Sequence, residues 1–167
     1  MPATVDIREW NGPSASPTKT VKTNGEVRFK NADNPNVDLN DPIQVPSSGT
    51  NWSYKKYLRL YIGATGPNQQ ITNIRVYSDG TNNMGTGTQV KAKAVSTYST
   101  PDNAAPDGTF SDFFSYTSAS PLSLGNGPYT GTNVDIGNFL ILQFGVDSTA
   151  SPGLTPSETV TFAYDEI

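Results

Sequence analysis

The sequence contains no cysteine and no histidine. The first absence excludes disulfides, thiolate metal ligands and thiol nucleophiles. The second excludes the serine–histidine–aspartate arrangement of many hydrolases, and it leaves only carboxylates as protein ligands for zinc. A general base would have to be an Asp, Glu, Lys or Tyr side chain. We therefore expect a protein that is not an enzyme and binds no cofactor.

Long apolar runs are missing as well. No stretch reaches the ~18 apolar residues that a membrane span requires. The start, MPATVDIREW, lacks the order of basic, apolar and small residues that marks a secretory signal. These features predict a soluble, unprocessed protein with no membrane partner. A chain of 167 residues with 34% hydrophobic content is long enough for one compact domain.

Basic residues are confined to the first part of the chain. All 11 Lys and Arg lie at or before Lys93, where seven acidic residues leave a net charge of +4, and the eight acidic residues that follow give −8. The preferred interpretation is that strands from both parts interleave and mix the charges. The alternative is a surface with a positive and a negative side, which would favour head-to-tail contact between identical subunits. Because the pI is about 4.6 and the later half of the chain would repel a phosphate backbone, we expect no nucleic-acid partner.

Apolar and polar side chains alternate with a period of two along much of the chain, whereas helical periodicity is nearly absent. Some eight short strands separated by turn signals predict an all-β fold, an antiparallel β-sandwich of jelly-roll or Ig-like type. Residues 1–20 are predicted to form an N-terminal strand or arm with its linker, and residues 21–167 a single sandwich domain. Asn24-Gly25 predicts a tight hairpin. The predicted core comprises Val27, Phe29, Leu58, Leu60, Ile62, Ile74, Val76, Leu140, Leu142, Val160 and Phe162.

The stretch KKYLRLYI, residues 55–62, alternates apolar residues with cations and aromatic rings. In a half-buried strand, the apolar residues face the core and the others form the outer face. The strand over residues 71–77 repeats this pattern, which predicts cross-strand pairs of Arg59 and Tyr61 with Tyr77 and Arg75. The candidate interaction surface consists of the aromatic and basic side chains Trp10, Trp52, Tyr54, Tyr57, Arg59, Tyr61, Arg75 and Tyr77.

Two ligand classes remain as alternatives. Exposed Trp and Tyr beside Asn and Asp are typical of sugar-binding β-sandwiches, so four aromatic residues are candidates for glycan stacking: Trp10, Trp52, Tyr54 and Tyr57. The stretch NPNVDLND has spaced oxygen ligands like those of a calcium loop, on Asn36, Asp38, Asn40 and Asp41. It lacks the Gly and the final Glu of an EF-hand, so a loop held by its own Asn and Asp hydrogen bonds is the preferred interpretation.

Three segments together resemble the small virion structural proteins of tailed bacteriophages and related viruses. They are DPIQVPSSGTNWSYKKYLRLYIGATGPNQQITNIRVYSDGTNNMGTGTQVKAKAVSTYSTP, FSYTSASPLSL and the ending STASPGLTPSETVTFAYDEI. The resemblance covers most of the chain and rests on turn and strand patterns. It implies a capsid decoration (cement) protein, made in the host cytoplasm, that binds the major capsid protein on the virion surface as a homo-oligomer, specifically a trimer. The alternative is a carbohydrate-binding module or tail-associated adhesin.

Overall fold

The computed structural model describes residues 2–167, which form ten strands and a single turn of 3-10 helix at Phe113–Ser115. The strands are β1 (Thr4–Asn11), β2 (Thr18–Val21), β3 (Thr50–Trp52), β4 (Lys56–Ala64), β5 (Ile71–Tyr77), β6 (Thr88–Val95), β7 (Ser111–Asp112), β8 (Leu122–Gly125), β9 (Val134–Asp147) and β10 (Thr161–Glu166). Within residues 2–167, no helix is long and apolar enough to cross a membrane.

Two antiparallel sheets pack face to face. The large sheet has the order β2-β1-β4-β9-β6-β7, with β3 beside the end of β9, and the small sheet has the order β10-β5-β8. The predicted all-β sandwich is therefore confirmed. Strand β9 organises the large sheet, because it pairs with β4 and β3 along one edge and with β6 along the other. Its residues 139–146 are all buried, as expected from its dense apolar run.

The main core lies between the two sheets, where the alternating apolar residues meet. Seven predicted core residues are buried: Leu58, Leu60, Ile62, Ile74, Val76, Leu140 and Leu142. The other four are partly buried and pack against this core: Val27, Phe29, Val160 and Phe162. The period-two pattern thus assigned the inner faces of β4, β5, β9 and β10 correctly.

The predicted hairpin at Asn24-Gly25 is wrong, although the chain does turn there. Asn24 has φ 55°, and the Gly25 N–H donates to the Lys22 carbonyl at 2.8 Å. No strand follows, and β2 pairs with β1 instead. Residues after the turn cover the inner face of the large sheet with side chains, as the stacked rings of Phe29 and Phe144 show, with centroids 5.6 Å apart. Side-chain packing therefore replaces the second strand of the hairpin.

The first strand is part of the large sheet in the single chain. β1 forms backbone ladders with β2 on one side and β4 on the other. The division between an arm over residues 1–20 and a domain over residues 21–167 stays a prediction.

The two oppositely charged parts of the chain interleave. Four ion pairs join an early base to a late acid: Lys19–Asp135, Lys55–Asp102, Arg75–Asp165 and Lys93–Asp107. Since these pairs are distributed over both sheets and the loops, the charges mix as the preferred interpretation expected.

Candidate interaction surfaces

The predicted row of cations and rings is divided between the two sheets. β4 belongs to the large sheet and β5 to the small one, so the predicted pairing of Arg59 and Tyr61 with Arg75 and Tyr77 is wrong. The chain crosses between the sheets over residues 65–70, which separates strands that follow one another in sequence. Arg75 instead binds the carboxylate of Asp165 on β10 at 2.9 Å.

A cation–aromatic pair of the expected kind occurs on the outer face of the large sheet, with a different partner. The guanidinium carbon of Arg8 lies 3.1 Å from the ring centroid of Tyr61. The Tyr61 hydroxyl donates to Asn133 Oδ1 at 2.7 Å. Sequence reasoning missed Arg8, although the alternation of DIREW around Ile7 already placed it on the face opposite the core.

Arg59 lies on the same face and is held in one orientation. Its guanidinium is 4.7 Å from the Phe139 ring centroid, and its Nε–H donates to the Ile136 carbonyl at 3.4 Å. Burial lowers the pKa of the Arg59 guanidinium below its usual value, while Asp135 opposes that shift. A cleft of about 460 Å³ opens beside it. We call Arg8, Lys19, Arg59 and Tyr61 the outer basic surface.

Lys19 completes the outer basic surface. Its ammonium is 2.6 Å from Asp135 Oδ2 and 3.9 Å from the centroid of the Trp10 ring. The ring and the carboxylate hold the ammonium from two directions, so its position is defined and Asp135 balances its charge.

Trp10 and Tyr57 are buried, which corrects their prediction as surface residues. They are 9% and 5% exposed and form an aromatic cluster with Phe139 and Ile141. Residues 96–110, which contain no strand, cover the cluster with Tyr98 and Phe110. Trp10 contacts Phe139 edge-on at 4.8 Å between ring centroids, so neither ring is a platform for a ligand.

Tyr98 connects the covering segment, residues 96–110, to the large sheet. Its hydroxyl donates to the Gly12 carbonyl at 2.7 Å, and its ring meets Tyr57 edge-on at 4.9 Å between centroids. Burial raises the pKa of the Tyr98 hydroxyl well above its usual value. The side chain is therefore neutral in the folded protein and serves as an anchor.

Trp52 and Tyr54 lie away from the outer basic surface. Trp52, on β3, pairs with Gly145 of β9 and lines a cleft of about 400 Å³. Tyr54 is half-buried, and its backbone N–H donates to the Lys30 carbonyl at 3.0 Å. Of the four aromatic residues considered for sugar stacking, Trp52 therefore occupies the suitable position.

The loop considered for calcium is held by its own hydrogen bonds and by a lysine. Asp38 Oδ1 accepts from the Lys30 ammonium at 2.6 Å and from the Asn40 N–H at 3.0 Å. The bond from Lys30 lowers the pKa of Asp38. Asn36 and Asp41 form backbone hydrogen bonds elsewhere in the loop. The preferred interpretation, a hydrogen-bonded Asx loop, is confirmed. Residues 2–167 contain no group of three or more Asp and Glu close enough to share a metal ion.

Beneath this loop lies an ionic cluster on the inner face of the large sheet. Glu9 is fully buried, and its Oε1 is 2.9 Å from the ammonium of the equally buried Lys56. Its Oε2 lies 3.6 Å from Lys22 Nζ. The two ammonium groups also donate to loop carbonyls, Lys56 to Asn34 and Lys22 to Pro35, both at 2.7 Å. We define the ionic cluster as Glu9, Lys22 and Lys56.

No family model matches the chain, and no curated protein or solved structure matches it. Function therefore has to be inferred from the surfaces described above and from the resemblance in the sequence.

Proposed function

We propose that the chain is a non-enzymatic virion structural protein, a decoration protein that binds the major capsid protein on the outer surface of a capsid and reinforces it. The resemblance of three segments to small virion proteins supports the identity of the partner. In this proposal the protein acts as a homo-oligomer, a trimer, and binds neither nucleic acid nor membrane.

The outer basic surface is the observation that carries a docking role. Arg and Tyr are enriched at protein interfaces, especially where they contribute most of the binding energy. Arg8 is stacked on Tyr61, and Arg59 is held by Phe139 and a backbone carbonyl. Because these side chains are already ordered, less conformational entropy is lost when a partner binds. Lys19 is already paired with Asp135, so a partner with acidic side chains would complement the guanidinium groups of Arg8 and Arg59.

The edge of the large sheet supports self-association. β2 is the last strand on that side, and Val21 at its end is 53% exposed. An open strand edge with an exposed apolar residue is a template for pairing with another chain. Pairing with a second copy would cover the open strand edge and Val21. Light scattering on the purified protein tests whether the protein self-associates. The trimeric order is supported by the resemblance alone.

Co-sedimentation with purified capsids of the encoding virus tests the docking role. We expect the double substitution Arg8→Ala with Tyr61→Ala to weaken capsid binding about tenfold or more, as loss of interface anchors does. The matched control is Arg75→Ala with Tyr77→Ala, which removes the same residue types from the small sheet and should leave binding unchanged. Equal losses in both variants, or no binding by the unmodified protein, would contradict the proposal.

A carbohydrate-binding module or tail adhesin is the second candidate. The cleft beside Trp52 favours it. A protein that remains monomeric, never sediments with capsids and is retained on a glycan column through Trp52 would replace the first candidate with this one.

A further inference from the structure

The Trp52 ring lies directly on the backbone of a glycine. A methyl group built at position 145 would be 2.6 Å from Trp52 Cζ3 and 2.9 Å from Cε3. A methyl group at these distances would clash with the ring. The ring can lie against the backbone here only because Gly145 has no side chain. The neighbouring strand therefore supports the ring, and Trp52 remains partly exposed where it lines the cleft.

Four residues with amide side chains line the cleft beside Trp52. The cleft is lined by Asn31, Gln44, Asn51 and Asn103 in addition to Trp52. Asn103 Nδ2 donates to Asn31 Oδ1 at 3.1 Å, and Asn51 Nδ2 donates to the Gln44 carbonyl at 2.9 Å. These bonds fix the amides and leave Asn103 Oδ1 and Asn31 Nδ2 without a hydrogen-bond partner among residues 2–167. The cleft thus presents both acceptors and donors.

The remaining lining is neutral too, since it consists of an isoleucine, a threonine and an alanine. A charged ligand would find no opposite charge there. A ligand with hydroxyl groups fits better, because each hydroxyl can donate to an amide oxygen and accept from an amide nitrogen. The C–H groups on one face of a sugar ring suit the electron-rich face of an indole.

We propose that this cleft is a binding site for a neutral glycan, with a sugar ring stacked on Trp52 and its hydroxyls bonded to Asn31 and Asn103. This inference rests on the second candidate function and names its ligand class and binding residues, and it is separate from capsid docking, which uses the outer basic surface. A particle decorated with the protein would then carry a sugar-binding site at each copy.

A glycan array followed by fluorescence titration tests the site. The array should show binding to neutral oligosaccharides, and titrations with maltotriose, cellotriose and triacetylchitotriose measure the affinity. Trp52 should dominate the fluorescence change, because Trp10 is buried in the aromatic cluster. We expect Trp52→Ala and Asn103→Ala each to weaken binding about tenfold or more, as truncation of central contacts does.

A glycine substitution provides a test with a matched control. Gly145→Ala places a methyl group inside the Trp52 ring contact, so we expect it to displace the ring and weaken binding. Gly108→Ala adds the same methyl group where no atom lies within 4 Å and should change nothing. Thermal melts identify variants that fail to fold. If Gly145→Ala is among them, Asn103→Asp, which retains the side-chain shape, takes its place.

Three results would overturn the site: no neutral glycan bound on the array, binding restricted to charged glycans, or binding unaffected by Trp52→Ala. Capsid co-sedimentation of Trp52→Ala should equal that of the unmodified protein. Glycan binding and capsid docking can therefore fail separately.

Discussion

The ionic cluster and the aromatic cluster are built from neighbouring residues of the same two strands. Glu9 precedes Trp10 on β1, and Lys56 precedes Tyr57 on β4. Glu9 and Lys56 join the ionic cluster on the inner face, whereas Trp10 and Tyr57 join the aromatic cluster on the outer face. A segment without strands covers each cluster, residues 31–41 in the first case and residues 96–110 in the second.

The two clusters differ in what stabilises them. Burial of aromatic surface is favourable by itself, in proportion to the area removed from water. Buried charges lose their free energy of hydration. Only close, well-directed ion pairs and hydrogen bonds offset that loss. We therefore expect the aromatic cluster to tolerate the loss of one contact, and the ionic cluster to be severely destabilised by the loss of one charge.

Removal of one buried cation should have the largest effect. Lys56→Met leaves Glu9 buried without its closest partner, which should lower the free energy of unfolding by about 3–5 kcal/mol. Urea denaturation measures the change. Lys55→Met is the matched control on the adjacent residue. Its partner, Asp102, is exposed, so the cost should be below about 1 kcal/mol. Equal losses of unfolding free energy in the two variants would show that the ionic cluster is not desolvated.

A smaller loss of stability is expected from a substitution at Tyr98, which connects residues 96–110 to the aromatic cluster. Tyr98→Phe retains the ring and removes the hydroxyl that donates to Gly12, at a cost of about 1 kcal/mol at neutral pH. The raised pKa of Tyr98 adds a pH dependence. The unfolded chain ionises this hydroxyl above about pH 10 while the folded protein keeps it neutral, so stability falls as pH rises beyond that value.

Urea denaturation of both proteins between neutral pH and pH 11 measures this dependence. The phenylalanine variant lacks this ionisation, so its stability should approach that of the unmodified protein as pH increases. A difference in unfolding free energy between the two proteins that stays constant from neutral pH to pH 11 would contradict the raised pKa of Tyr98.

No effect is expected from a metal chelator. The Lys30 ammonium already lies among the oxygen atoms of the loop over residues 31–41. EDTA should therefore leave the Tm unchanged, and added calcium should not raise it. A fall of several degrees with EDTA would mean that a bound ion stabilises the folded state and would favour the calcium interpretation of Asp38 and Asp41.

The sequence predicts the inner faces of the strands well, because side-chain direction in a strand is a local property. Leu58, Leu60, Ile74 and Val76 are buried where the alternation places them. The assignment of strands to sheets is not local. β4 and β5 follow one another in the chain and lie in different sheets, so the predicted contacts between Arg59 and Tyr77 do not form.

Burial by loops was the second feature that alternation could not predict. Residues 96–110 have no periodicity, yet they cover Trp10 and Tyr57. One signal was present: the run FLILQF in β9 has apolar residues on both faces, which indicates that its outer face is covered as well. The same alternation places Glu9 and Lys56 on the inner faces of β1 and β4. It could not show that these two residues, 47 positions apart, would pair.

The central position of β9 has a consequence for synthesis of the chain. β9 lies between β4 and β6, which are made earlier, so both strands leave the ribosome with one edge unpaired until residue 147 has emerged. Strands β2, β1 and β4 can pair early, but β6 cannot join them until β9 has been made. The edges of β4 and β6 that face β9 stay unpaired until then. Pairing over such long sequence separations slows folding. We expect a nascent chain that ends before β9 to depend on chaperones.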